Sequence, residues 1–158
     1  MTGSGDIGAR EIFERIYLAI MGLVIFSMFI PCNEVIVVTD NVPKAHTSAI
    51  FDSHVGIIAL IVAVAAVIFI LKGKRIASSV SGILVSALAG VTILFFVDTG
   101  KSAQAVTEGG DSAWKTMMEY GGITSVTNRH TIGYYVASVA LIVLLIAAVA
   151  GFFIKDSD

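Results

Sequence analysis

Four charge-free apolar runs divide the chain, at about residues 16–30, 55–71, 76–97 and 132–154. A helix needs roughly 20 apolar residues to cross the hydrocarbon core of a bilayer, with a range of about 17–25. The last three runs meet this length directly. The first run ends at Pro31, which does not continue a helix readily, so that helix must begin upstream of the run. We predict one membrane domain over residues 1–158, with spans at about 12–31, 53–71, 76–97 and 132–154.

Residues 6–15 supply the upstream extension. Asp6 is a suitable N-cap, and i,i+4 spacing pairs Arg10 with Glu14 and Glu11 with Arg15. In this amphipathic segment, Ile7, Phe13 and Tyr17 are expected near the lipid headgroups. A signal peptide is the alternative, because a basic start precedes a short apolar run. No A-x-A-like cleavage motif follows, so we expect the segment to be retained.

Basic residues in short loops predict the orientation. The second and third spans are joined by the tight turn Lys72–Arg75, the densest basic cluster in the chain. Such clusters face the cytoplasm. Four spans place the amino-terminal arginines and Lys155 on that same side. We therefore expect a multi-pass protein of the cell membrane with both termini cytoplasmic, and outward loops at about 32–52 and 98–131.

Each outward loop contains a β-branched run, Val35–Thr39 in the first and Ile123–Thr127 in the second. Such runs favour strands, and a strand needs a partner for its backbone, so we predict that the two pair. The alternatives are pairing with another subunit or irregular structure. A short helix is predicted over Ser112–Tyr120, with an apolar face formed by Trp114, Met117 and Met118. We favour a position in which this helix covers the bundle, and the alternative is that it lies on the outer headgroups. The predicted fold class is thus an all-α membrane protein, a four-transmembrane-helix bundle with a small extracytoplasmic cap.

Composition agrees with a membrane protein, since 56% of the residues are hydrophobic and only 14% are charged. Soluble domains carry nearer a quarter charged residues. The formal net charge of −2 gives no indication of nucleic-acid binding. Cys32 is the single cysteine, which excludes an intrachain disulfide. We expect it to be a small buried residue at a helix end; the alternative is a disulfide between chains.

The four apolar runs at the centre of the predicted spans contain no ionisable side chain apart from tyrosine. Pumps, proton-coupled carriers and intramembrane proteases need such groups within the membrane. No phosphate-binding loop, dinucleotide fingerprint or nucleophile elbow occurs in the sequence. We therefore expect neither an enzyme nor an active transporter.

The histidines are all predicted on the outward side. His46, His54 and His130, with Asp52, are residue types that bind zinc or copper. Their spacing matches no metal signature, and polar residues gather at helix ends because the headgroup region is wet. We expect no cofactor, and keep a zinc or copper site at the outward face as the alternative.

The third span carries the clearest packing pattern. Small residues recur every four positions, at Ser78, Gly82, Ser86 and Gly90. Small-xxx-small stripes let membrane helices approach closely. Packing within the chain's own bundle is the favoured interpretation, and a subunit interface is the alternative.

The layout resembles a widespread group of small, uncharacterised four-span proteins of bacteria and archaea, in its hairpin of two spans and a final span opening with Gly133-Tyr134-Tyr135. That resemblance implies the fold and no activity. Claudin-like proteins share four spans and outward β structure, but this chain lacks their tryptophan and paired-cysteine motif. We expect a non-catalytic structural or accessory subunit of a larger membrane complex, or a homo-oligomer, which lies in the lipid bilayer and acts through helix packing and its outward cap. A small pore or a metal- or solute-binding protein is the alternative.

Overall fold

A computed structural model describes residues 8–109, 116 and 119–154. Four long helices and one small sheet make up this part of the chain. The helices are α1 (Ala9–Ser27), α2 (His54–Leu71), α3 (Arg75–Gly109) and α4 (Ile132–Ala150). The strands are β1 (Pro31–Thr39), β2 (Val42–Ala49) and β3 (Ile123–His130), and a 3-10 turn, Ile50–Asp52, precedes α2. The predicted combination of a mostly helical fold with a small sheet is confirmed.

Three helices in the described residues are long and apolar enough to cross a membrane: α2, the Arg75–Thr99 part of α3, and α4. Their outer surfaces carry large apolar side chains, such as Ile61, Leu94 and Ile146, each about two-thirds exposed. Apolar surface of this extent is unfavourable in water, whereas contact with lipid tails is favourable for it. These three helices are consistent with the prediction of transmembrane helices.

Helix α1 falls outside that group because its first two turns are charged. Both predicted ion pairs form there, Arg10 with Glu14 at 2.9 Å and Arg15 with Glu11 at 2.6 Å. The helix begins after Gly8, and the predicted cap, Asp6, lies outside the described residues. Phe13 and Tyr17, expected near the headgroups, instead belong to the buried face of α1. Tyr17 can be buried because its hydroxyl finds a backbone acceptor in α3.

The core lies along the axis of the four helices. It combines large side chains of α1 with alanines of α2 and α4, among them Met21, Val24, Ala59, Ala63, Ala66, Ala137 and Ala140. Helix α2 packs chiefly against α3, and α1 packs chiefly against α4. Because alanine is small, the alanine-rich helices approach closely, and the bulk needed to fill the centre comes from α1.

The predicted basic turn between α2 and α3 has a defined geometry. Gly73 has φ +69°, its N–H donates to the carbonyl of Ile70 at 2.9 Å, and the N–H of Lys74 donates to that of Phe69 at 2.8 Å. This is a Schellman cap, which needs a left-handed residue at the position of Gly73. The glycine therefore ends α2 and reverses the chain within three residues.

Helix α3 corrects the predicted loop of residues 98–131. It continues to Gly109, so its 35 residues extend about 50 Å, well beyond the roughly 30 Å of a bilayer core. The extension is polar, which indicated a loop, but it contains no proline to end the helix. Most of the predicted short helix Ser112–Tyr120 lies outside the described residues; of its positions Thr116, Glu119 and Tyr120 are described, all helical.

The predicted β pair is confirmed. Strands β1 and β3 are antiparallel, with Ile36 opposite Thr127 and Val37 opposite Val126. A third strand, β2, was predicted as loop, and the sheet order is β2-β1-β3. Asp40 and Asn41, with φ of 53° and 62°, form the two-residue turn that folds β2 back onto β1. Strand β2 contains Pro43 and lacks alternating β-branched residues, so its strand propensity is low. It forms because the Asp40–Asn41 turn places it beside β1.

Candidate functional site

The small-residue stripe of α3 meets the chain's own helices over its first half. The Ser78 hydroxyl donates to the Ala66 carbonyl of α2 at 2.9 Å, and the Ser78 carbonyl accepts from the Tyr17 hydroxyl at 2.6 Å. One residue of α3 therefore bonds two different helices. These groups are fully buried and cannot form hydrogen bonds with water. The two hydrogen bonds therefore satisfy them, and they define how α1, α2 and α3 meet.

The next two positions of the stripe face α1 and α4. A Cβ on Gly82 would lie 2.4 Å from the Tyr17 hydroxyl and 3.1 Å from the Ala148 Cβ, so no larger residue fits without a shift. The Ser86 hydroxyl donates to the carbonyl of Gly82 at 3.0 Å and lies 3.3 Å from that of Leu141 in α4. Ser78, Gly82 and Ser86 thus pack inside the bundle.

Gly90, the last member of the stripe, is different. A Cβ built on Gly90 would have no neighbouring atom within 4 Å. The close-packed stripe therefore ends at Ser86, and Gly90 adjoins open space on the part of α3 farther from the basic turn. The other predicted packing residues, Trp114, Met117 and Met118, lie outside the described residues.

The candidate metal ligands are dispersed. His46 lies exposed on β2, and His54 is the first residue of α2. The Asp52 carboxylate accepts from the Ala49 N–H at 2.6 Å, which caps the 3-10 turn. His130 ends β3, where its ring stacks on Tyr134 with centroids 4.3 Å apart. Among the described residues no group of three or more His, Cys, Asp or Glu side chains could hold a metal ion.

A polar group beneath the sheet was missed by sequence reasoning. Asn33 lies opposite His130, and Val35 lies opposite Asn128, so Asn33, Asn128 and His130 share one face of the sheet. The Asn33 amide donates to the Phe96 carbonyl of α3 at 3.3 Å, which identifies this face as the inner one. Asn33 Oδ1, Asn128 Oδ1 and His130 Nδ1 are buried without a hydrogen-bond partner in the described part of the chain. The cluster follows from the strand register, which the sequence does not predict.

The two edges of the sheet have different environments. Strand β3 lies against the extension of α3, and the Asn128 N–H, which points away from β1, donates to Gln104 Oε1 at 3.2 Å. Strand β2 forms the opposite edge, and its residues from Val42 to Thr47 are all exposed. One edge is therefore covered by this chain's own helix, and the other is open among the described residues.

The outer face of the sheet carries an ion pair between Arg129 and Glu34, on opposed positions of β3 and β1. The hydrogen bond to Glu34 raises the pKa of the Arg129 guanidinium above its ordinary value. The pair lies near the end of the sheet that adjoins α1 and α4, where the Thr131 hydroxyl also donates to the Pro31 carbonyl.

Cys32 is 1% exposed and donates to the Ser48 carbonyl of β2 at 3.2 Å. Burial raises its thiol pKa to about 11, with a smaller contribution from the nearby Asp52 charge. The expectation that Cys32 is buried is confirmed, but the residue lies in β1 and not at a helix end.

Comparison with protein-family models, with curated proteins and with solved structures found no match for this chain. Its function is therefore inferred from the geometry of the bundle and the cap.

Proposed function

We propose that the chain crosses the cell membrane four times with both termini in the cytoplasm. Support for a fourth span comes from α1, whose 19 residues equal the length of α4, against which it packs. Its buried residues, from Phe13 to Ser27, extend over most of its length. Its charged first turns lie beside the basic turn, where the Arg10 guanidinium donates to the Gly73 carbonyl at 3.3 Å. Charges at a helix end can remain at the interface while the rest of the helix is inserted.

We further propose that the protein is a non-catalytic structural or accessory subunit, which binds other membrane-protein subunits or further copies of itself through its outward cap. The open edge of β2 is the observation that carries this proposal. Exposed sheet edges pair readily with other strands, and proteins usually cover them. Here the α3 extension covers the β3 edge, while nothing in the described residues covers β2.

The hydrogen-bonding groups on that edge follow from the hairpin. In a two-residue hairpin the residues that flank the turn, Thr39 and Val42, form hydrogen bonds with each other. From there on, the backbone N–H and C=O groups of alternate β2 residues point away from β1, toward the open edge. The residues whose backbone groups point to the open edge are Pro43, Ala45 and Thr47. Pro43 has no N–H, so the N–H groups of Ala45 and Thr47 are the donors that a partner strand would use. This short ladder favours a specific partner over unlimited sheet extension.

Solute or metal binding at the cap is the second candidate function. It is supported by the unpartnered acceptors of Asn33, Asn128 and His130, which a small cation or a hydrogen-bond donor would satisfy. Metal analysis of the purified protein, with His130→Ala, His54→Ala and His46→Ala as controls, tests it. Stoichiometric metal that disappears in the His130 variant would favour this candidate, and a metal-free wild type would remove it.

Photo-crosslinking on the cap tests the subunit proposal. A photoreactive amino acid at Thr47, on the open edge, is compared with the same probe at Thr127, an exposed position of β3. We expect a discrete crosslinked product of defined mass from position 47 in native membranes and little from position 127. Ala45→Pro, which removes a donor from the open edge, should abolish the product, whereas Ala45→Ser should preserve it. Equal products from both positions, or insensitivity to Ala45→Pro, would contradict edge pairing.

A further inference from the structure

The end of the bundle that carries the α2–α3 turn concentrates positive charge on apolar surface. Lys72 and Lys74 are exposed, and neither forms an ion pair with a described residue. The nearby carboxylates, Glu11 and Glu14, are engaged by Arg15 and Arg10 of their own helix. The two lysine charges of the turn are therefore uncompensated within the described part of the chain.

Apolar side chains flank the same turn. Leu71, the last residue of α2, is 69% exposed, and Ile76, in the first turn of α3, is 60% exposed. A surface cavity of about 470 Å³ adjoins Ile76 and is lined by Gly73, Lys74, Arg75, Ile76 and Ala77. A volume of this size accommodates a small polar headgroup. Positive charge and apolar surface thus meet within one turn of chain.

We propose that this turn is a binding site for one anionic glycerophospholipid. The phosphate of the headgroup pairs with Lys72 and Lys74, and the start of an acyl chain lies along Ile76 and Leu71. Basic clusters next to transmembrane helices attract anionic lipids, and the effect is local because salt screens it within about a Debye length. The inference adds a lipid ligand to the proposed subunit role and does not depend on the outward cap.

Native mass spectrometry of the full-length protein, released from a neutral detergent, tests the proposal. Dioleoyl phosphatidylglycerol is titrated against dioleoyl phosphatidylcholine. We expect one saturable phosphatidylglycerol per chain and a preference of about thirtyfold at low salt, which corresponds to about fivefold for each lysine. Lys72→Gln with Lys74→Gln should remove the preference.

A matched control is available at the outward end, where Lys44 and Lys101 are also exposed. Lys44→Gln with Lys101→Gln makes the same change in net charge and should leave the preference intact. Glycerol phosphate, which has the headgroup charge without acyl chains, should compete poorly. Equal loss in both double variants, unsaturable lipid adducts, or full competition by glycerol phosphate would overturn the proposal.

Discussion

The hydroxyl of Tyr17 in α1 donates a 2.6 Å hydrogen bond to the backbone carbonyl of Ser78 in α3. The same hydroxyl occupies the space that the missing side chain of Gly82 leaves open, since a Cβ there would lie 2.4 Å from it. The glycine of the small-residue stripe therefore makes room for a buried phenol. Helix packing at this level depends on a polar contact as well as on small residues.

Alanine substitutions at two glycines of α3 distinguish the effect of the Tyr17–Gly82 contact on stability from the effect of helix propensity. Gly82→Ala should destabilise the fold by about 1–3 kcal/mol, because the buried Tyr17 ring must move and its hydrogen bond weakens. Gly90→Ala meets no neighbour and should leave stability unchanged or raise it by up to about 1 kcal/mol. Thermal unfolding in detergent measures both.

Tyr17→Phe extends that test, because it deletes the hydroxyl that the new Cβ would touch. We expect Gly82→Ala to cost less in the Tyr17→Phe background than in the wild type, giving a coupling of about 0.5–3 kcal/mol. Strict additivity of the two substitutions would show that Gly82 and Tyr17 do not share this space.

Ser78 offers a second comparison within α3. Ser78→Ala removes an interhelical bond to Ala66 and should cost about 0.6–1.7 kcal/mol, from the average to the largest value for such bonds in membranes. Ser81 bonds the Ala77 carbonyl of its own helix, so Ser81→Ala should change stability far less. Equal costs for the two serines, measured by unfolding in mixed micelles, would remove the special role of Ser78.

Cys32 should be nearly inert toward iodoacetamide in the folded protein. With its pKa raised from 9.0 to about 11, its thiolate fraction below pH 9 is about a hundredfold lower than that of a free thiol. The raised pKa favours the neutral thiol on folding, so this contribution to stability is present below pH 9 and is lost as pH rises through 11. Labelling followed from pH 7 to 11, with detergent-denatured protein as control, measures the effect; fast labelling of folded protein at pH 8 would contradict it.

Cysteine accessibility tests whether α1 crosses the membrane. In a Cys32→Ala background, we expect a membrane-impermeant maleimide to label Lys44→Cys in intact cells and to leave Glu11→Cys and Lys72→Cys unlabelled until the cells are permeabilised. All three positions are exposed in the fold. Labelling of Glu11→Cys together with Lys44→Cys would place both ends of α1 on one side.

Hydropathy and turn residues predicted the apolar helices and the basic turn because lipid exposure demands long uncharged runs and a Schellman cap demands glycine. The β1–β3 pairing was equally predictable from β-branched runs. Strand β2 was not, since Val42–Ala49 has poor strand propensity and depends on the Asp40–Asn41 turn. The extension of α3 was missed because a polar helix packed on a sheet resembles a loop in composition.

The candidate site was predictable only in part. The small residues of α3 were recognisable from their spacing, but the role of Tyr17 depends on which face of α1 meets α3. The inner-face cluster of Asn33, Asn128 and His130 joins two strands separated by about ninety residues of chain, and the register that aligns them is set by the fold. Single-sequence patterns carry no information about that alignment.

The central claim, that the cap joins this chain to other subunits, is tested most directly by the mass of the protein purified from its native membrane in mild detergent. We predict a complex larger than one chain, with stoichiometric partners or copies, that dissociates to single folded chains in the Ala45→Pro variant. A wild-type protein that purifies as a lone monomer, and that conducts a solute when placed in liposomes, would contradict the claim.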